Sequence, residues 1–311
     1  SSLPLRSSCK CLADFTACCM ESSSTRPSSE ALQGETPDQP AVGPSGNELH
    51  IGERSKLEAP LRHPFSVCTY NIFEGLDSKD PARVARFSEW VRSQNFDVLG
   101  LNEVNDFTQA ELTAVAVECG FPYCVLRPAK TRFHLGVFSK HDLTVCDTSA
   151  LSRKMHHGLL HVTVRPRDGL CWHILITHLT PFEAARRREE ARAIVEYVCP
   201  LASEPLLLMG DLNSLSVTDR EEHSHAELRS EVLSKVPKLR RKFLAEDGHV
   251  DYEPLNILYE AGFYEGERSA AENSTTVPTP VNKDDAHAAT MRLDYILLGA
   301  GVRSIAFGDN L

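Results

Sequence analysis

Between residues 123 and 177 five short apolar runs follow one another, with turn residues between them and no helical period. They occupy 123–126, 135–138, 143–146, 159–164 and 172–177. Each is strand-sized. Consecutive strands with short links pair antiparallel, because a parallel return needs a crossover of a dozen residues or more. This block commits the chain to sheets. The flanks read differently. Residues 65–70 alternate like a strand, and Asp80-Pro81 places an N-cap before a proline at the first helical position. Val84, Phe87 and Val91 then recur at helical spacing, so a helix is predicted to about Ser93. Residues 98–101 form a short apolar strand. Thr108 and Glu111 form a capping box, opening a helix that Gly120 closes. Downstream, 182–198 reads as a helix, 206–209 as a buried strand, 219–262 as mostly helical, 291–298 as a strand and 302–306 as another.

The first 63 residues have another character. Residues 21–48 are rich in Ser, Pro, Gly and Glu, with no aromatic residue and no period. Such a segment buries too little apolar surface to offset its ordering entropy. We read 1–63 as a disordered tail, with a targeting leader as one reading of its start, and 64–311 as one domain. Cys9, Cys11, Cys18 and Cys19 match no standard zinc spacing. The later six cysteines sit in or beside apolar elements, which suits a reducing, intracellular compartment. The net charge of −10 argues against a protein that holds nucleic acid by charge alone. No apolar run approaches the ~18 residues of a membrane helix.

The chemistry-bearing residues stand where apolar strands end. Asn71 ends the first, Glu103 follows the second, and His178 follows the run 172–177. Asp211 and Asn213 follow Leu-Leu-Leu-Met-Gly, and Arg292 and Asp294 lie on the last strong strand. Residues two apart in extended chain share a side, so Asp211 and Asn213 face one pocket. Glu103 and Asn71 offer hard oxygen ligands, which suit Mg²⁺ or Mn²⁺ better than zinc. Taken singly, each of these is an ordinary strand-end or turn residue. Their joint order is the signal.

That order is TYN at 69–71, LNEV at 101–104, THL at 177–179, GDLNS at 210–214 and RLDYIL at 292–297. It resembles the endonuclease/exonuclease/phosphatase superfamily, over about residue 64 to the end. The resemblance implies a deoxyribonuclease I-like α/β fold: a four-layer sandwich of two mostly antiparallel mixed sheets with outer helices. It implies a Mg²⁺- or Mn²⁺-dependent hydrolase of phosphodiesters or phosphomonoesters, monomeric, with nucleic acid among its candidate partners. Glu103 becomes the main metal ligand, with Asn71 beside it. Asp211 becomes the residue that orients or activates water. Asn213 and His178 become phosphate contacts, His178 also assisting proton transfer, and Arg292 a further substrate contact. Asp294 becomes the residue that orients a second histidine. In the family that histidine lies in a Ser-Asp-His segment on a last strand, whereas no histidine follows Asp294 here. The expectation is a domain lacking that strand, and nearly inactive as it stands.

Other features bear on substrate. The final motif differs from the Cys-Asp-Arg of inositol phosphatases, and Phe73 stands where repair nucleases carry an acidic residue. The basic cluster 234–242 reads either as a phosphate-contacting loop or as a solvated helix face, and Arg186, Arg187 and Arg188 as a basic rim. Residues 219–225 read as a solvated helix start rather than a second metal site, and 276–280 as a rigid loop at the rim. The alternatives are a non-catalytic binding module with this fold and a sphingomyelinase-like enzyme acting on lipid.

Overall fold

The computed structural model describes residues 65–166, 169–224, 233, 236–266, 275–277 and 291–302, with the backbone of 12–15. In chain order the strands are β1 (Leu12–Phe15), β2 (Phe65–Asn71), β3 (Val98–Asn102), β4 (Tyr123–Arg127), β5 (Leu135–Ser139), β6 (Leu143–Cys146), β7 (Leu159–Val164), β8 (Trp172–Thr177), β9 (Leu206–Asp211), β10 (Tyr264–Glu265) and β11 (Asp294–Leu298). The helices are α1 (Phe73–Lys79), α2 (Pro81–Gln94), α3 (Gln109–Glu118), α4 (Ser149–Lys154), α5 (Ala184–Val198), α6 (Arg220–Ser224), α7 (Pro237–Phe243) and α8 (Glu253–Glu260). One sheet has the order β1-β2-β3-β5-β4, the other β10-β11-β9-β8-β7-β6. Only β2 with β3 and β8 with β9 run parallel, each pair joined through a helix; the remaining neighbours are antiparallel.

The apolar pattern explains the layering. In β9 every residue from Leu206 to Met209 is apolar because both faces are covered. Leu206 and Leu208 pack with Ala191 and Ile194 of α5 and Leu255 and Leu258 of α8. Leu207 and Met209 pack with Val67, Val98 and Val137 of the other sheet. On the far side, Leu99, Leu101 and Phe138 meet Phe87 and Val91 of α2 and Leu112 and Val115 of α3. The order is helices, sheet, sheet, helices: the expected four-layer sandwich. The Asp80 cap and the Thr108/Glu111 capping box both form.

Several boundaries differ from expectation. The last strand begins at Asp294, not Met291, because Met291 bridges Val277 instead. Val302 lies in a helical turn, and 303–306 lie outside the described residues. Helix α4 interrupts the block read as strands alone. Leu12–Phe15, read as tail, pairs antiparallel with β2. The rest of 1–63, its four cysteines included, lies outside the described residues. Helix α1 had no sequence signal. Its residues all have φ between 48° and 70°, a left-handed turn that costs each non-glycine residue about 1–2 kcal/mol. Among the described residues no disulfide forms, and no helix is long and apolar enough to cross a membrane.

The end of β9 passes close to the end of β8 at Gly210, at φ +139°, where an added Cβ would stand 1.9 Å from the Thr177 carbonyl oxygen. Gly210→Ala is expected to lower stability by about 2–4 kcal/mol, read from the urea midpoint. An unchanged midpoint would contradict this packing of β8 against β9.

Candidate active site

Five strand ends meet at one rim. Asn71 and Asn102 are register partners on β2 and β3, and Asp211 and Asp294 are partners on β9 and β11. Asn102 ties the two sheets together. Fully buried, it donates from Nδ2 to the Thr177 carbonyl at 2.9 Å and accepts the Asp211 N–H on Oδ1 at 3.0 Å. The residues just beyond these ends, Glu103 and His178, are thereby brought to Asp211. One ligand atom each from Glu103, His178 and Asp211 lies within 4.8 Å of the others.

Each carboxylate is held by N–H groups. Asn71 Nδ2 donates to Glu103 Oε1 at 2.9 Å and to Asp211 Oδ2 at 3.2 Å. The Glu74 N–H, on the left-handed turn α1, donates to Glu103 Oε2 at 2.9 Å. Asp211 Oδ1 accepts the Asn213 N–H at 2.9 Å, and His178 Nε2 stands 3.5 Å from Asp211 Oδ2. The Asn71 oxygen, expected at a metal, accepts the Phe73 N–H at 3.0 Å instead. In this arrangement Asn71 orients the two carboxylates.

Behind this cluster lie residues that the sequence reading did not single out. Lys242 is buried, with Nζ 2.5 Å from Asn213 Oδ1. It belongs to the basic cluster 234–242, whose Lys238, Arg240 and Arg241 are exposed. The helical spacing of Leu239, Lys242 and Phe243 is the signal that separates it from them. His157 stacks on His178 with ring centroids 4.4 Å apart. Burial, then His178 and His156, push its imidazole down to about 2, so it is neutral. Asn102 stood inside the LNEV motif, but a bridging amide has no sequence signature.

Two expectations are corrected. Arg292 does not point to the cluster: it donates to Asp219 at 2.9 Å and to Glu265 at 2.7 Å, stacked over Tyr295. It is a buried ion pair, not a phosphate contact. The basic rim also fails. Arg187 is buried, donating to Ser214 Oγ and the Thr180 carbonyl, and Arg188 pairs with Asp251. Residues 220–224 form the expected helix start, but it is not wholly solvated: Asp219 is buried on Arg292 and His223 is buried beside the Tyr252 hydroxyl. Of the predicted rim loop, Thr276 accepts the Leu293 N–H, and 278–280 lie outside the described residues.

Asp294 reports the electrostatics. Burial first, then the Asp211 and Glu103 carboxylates, push its carboxyl up to about 8. The native state therefore holds a proton that the unfolded chain loses near pH 4. Stability from this group declines as pH rises from about 4 to about 8. In chelator, the melting temperature of Asp294→Asn relative to wild type is expected to rise steadily between pH 5 and pH 8. A difference independent of pH would contradict this.

Comparison with known proteins follows the same lines. A sequence search of curated proteins found no match. In structure, the chain is similar to the 3'-5' exonuclease NExo from Neisseria meningitidis, with 16% identity, a TM-score of 0.50 and coverage of 75% of this chain and 86% of that one. It is also similar to an AP endonuclease from Archaeoglobus fulgidus, at 15% identity, TM-score 0.49, and coverage of 75% and 86%. For ANGEL2, a 2',3'-cyclic phosphatase, the values are 15% identity, TM-score 0.47, and coverage of 76% and 83%. At these identities the likeness is one of fold. The profile of the endonuclease/exonuclease/phosphatase family matches residues 68–310, and the chain belongs to that family.

Proposed function

We propose that this chain hydrolyses phosphate esters with a divalent cation, Mg²⁺ or Mn²⁺, held by Glu103 and Asp211. The observation that carries the reading is the convergence of Glu103, His178 and Asp211 within 4.8 Å, at the rim where both sheets end. The residues fit such an ion. Two carboxylates supply hard oxygen ligands, and their combined negative charge, felt at Asp294, is what a cation offsets. When bound, the ion supplies charge neutralisation and polarisation of the phosphoryl oxygen.

The protein's own groups do the rest. Asp211 orients the attacking water and takes up its proton. Asn71 and the Glu74 N–H keep Glu103 and Asp211 turned inward. Asn213 and His178 donate to phosphate oxygens. Asp294, neutral beside Asp211, keeps a proton at the same rim. The acidic chain leaves attraction of a polyanion to this cation centre, and a phosphodiester such as a nucleic acid is a candidate substrate. Its compartment, in this reading, is intracellular, and residues 64–311 act as one domain.

A panel of DNA, RNA, inositol phosphates, sphingomyelin and bis(4-nitrophenyl) phosphate, assayed on the chain extended through a Ser-Asp-His segment, tests the reading. At least one substrate is expected to be cleaved only with Mg²⁺ or Mn²⁺. Asp211→Asn is expected to lower kcat/KM by about 10²–10⁴. Turnover in chelator, or turnover that survives Asp211→Asn, would overturn the mechanism.

A further inference from the structure

Lys242 is carried into the protein by a helix face, not by a flexible side chain folding inward. Leu239 and Phe243, on the same face of α7, pack with Leu215, Met291 and Leu293. The Lys242 carbonyl accepts from the Arg187 guanidinium, and Arg187 also donates to Ser214 Oγ at 3.0 Å. One buried arginine thus fixes both α7 and the turn that bears Asn213.

The contact between them has one sense. An ammonium only donates, so the Asn213 atom 2.5 Å from Lys242 Nζ is the carboxamide oxygen. The Leu179 carbonyl only accepts, and it takes an N–H of Asn213 Nδ2 at 2.9 Å. These two neighbours leave a single orientation of the carboxamide. They also leave the second N–H of Nδ2 with no partner among the described residues. Asn213 is 3% exposed, at φ +48°. A buried N–H without an acceptor costs about 1–3 kcal/mol, and a left-handed non-glycine backbone about as much again. The fold sustains both beside Asp211.

We propose that Lys242 is a positioning residue for phosphate: its ammonium locks the Asn213 carboxamide so that the second N–H donates to a phosphate oxygen of the substrate. The inference rests on the phosphoester reading above. It gives the insertion after β9 a role in the site and separates Lys242 from its three exposed basic neighbours.

The test combines turnover with a structural readout. The substrates are aryl methyl phosphodiesters that differ in leaving group. Lys242→Met is expected to lower kcat by about 10²-fold, equally for every leaving group, with KM changed less than about threefold. Because Lys242 acts through Asn213, Lys242→Met combined with Asn213→Ala is expected to lose no more than the worse single variant. Multiplying losses would overturn the proposal, as would a lowered melting temperature with kcat retained. Lys242→Gln takes the place of Lys242→Met if the latter does not fold. The second readout is the Asn213 side-chain amide in ¹⁵N NMR spectra, identified by its absence in Asn213→Ala. Its two N–H signals are expected to be well separated in wild type and to converge in Lys242→Met. An amide unchanged by Lys242→Met overturns the proposal whatever the turnover. A wild type that cleaves none of the phosphodiesters defeats the hydrolase reading, and with it the phosphate role, even if the amide responds.

Discussion

The two sheets are joined at their polar ends by one buried carboxamide. Asn102 gives its Nδ2 to the Thr177 carbonyl and its Oδ1 to the Asp211 N–H. A buried amide left without either partner would face a desolvation cost of about 1–3 kcal/mol per group, which favours keeping both contacts. This fixes β3 against both β8 and β9. Glu103, one residue on from Asn102, His178, one residue on from Thr177, and Asp211 itself then have little freedom in where they stand. Gly210 belongs to the same constraint, since only a residue without Cβ lets β9 come this close to the Thr177 carbonyl.

The site concentrates features that cost stability elsewhere. Glu103, Asn213 and all of α1 have left-handed backbone, and Asp294 stands half-buried near two other carboxylates. Arg187 is buried deeply enough that burial lowers its guanidinium to about 10, while Asp251, Glu190 and Asp211 oppose the shift. These groups are packed from behind by apolar layers that need nothing from them. The arrangement is that of a rigid scaffold holding a strained rim, in which apolar contacts set the geometry that places the chemistry.

The sheet layers were legible because the relevant strands are buried on both faces or alternate cleanly, as in 206–209 and 65–70. The positions of Glu103, His178, Asp211 and Asn213 were legible because each sits just where an apolar strand ends. Arg292 was misread. It neighbours Asp294 in sequence, but its guanidinium found Asp219 and Glu265, both distant in the chain and invisible to any local pattern. Lys242 was hidden among like charges, and only its spacing to Leu239 and Phe243 distinguishes it. The left-handed turn α1 arises from tertiary contacts, with the Gly75 N–H on the Glu103 carbonyl and Glu74 on Asn105, and propensity offers no warning of it.

The central claim is that folding brings Glu103 and Asp211, from different sheets, into one cation centre. Titration of the protein with Mn²⁺, with free ion counted by electron paramagnetic resonance, tests it without any assumption about substrate. The account predicts one principal site in wild type, weakened at least about tenfold by Glu103→Gln and likewise by Asp211→Asn. Wild-type affinity retained in either variant would contradict it.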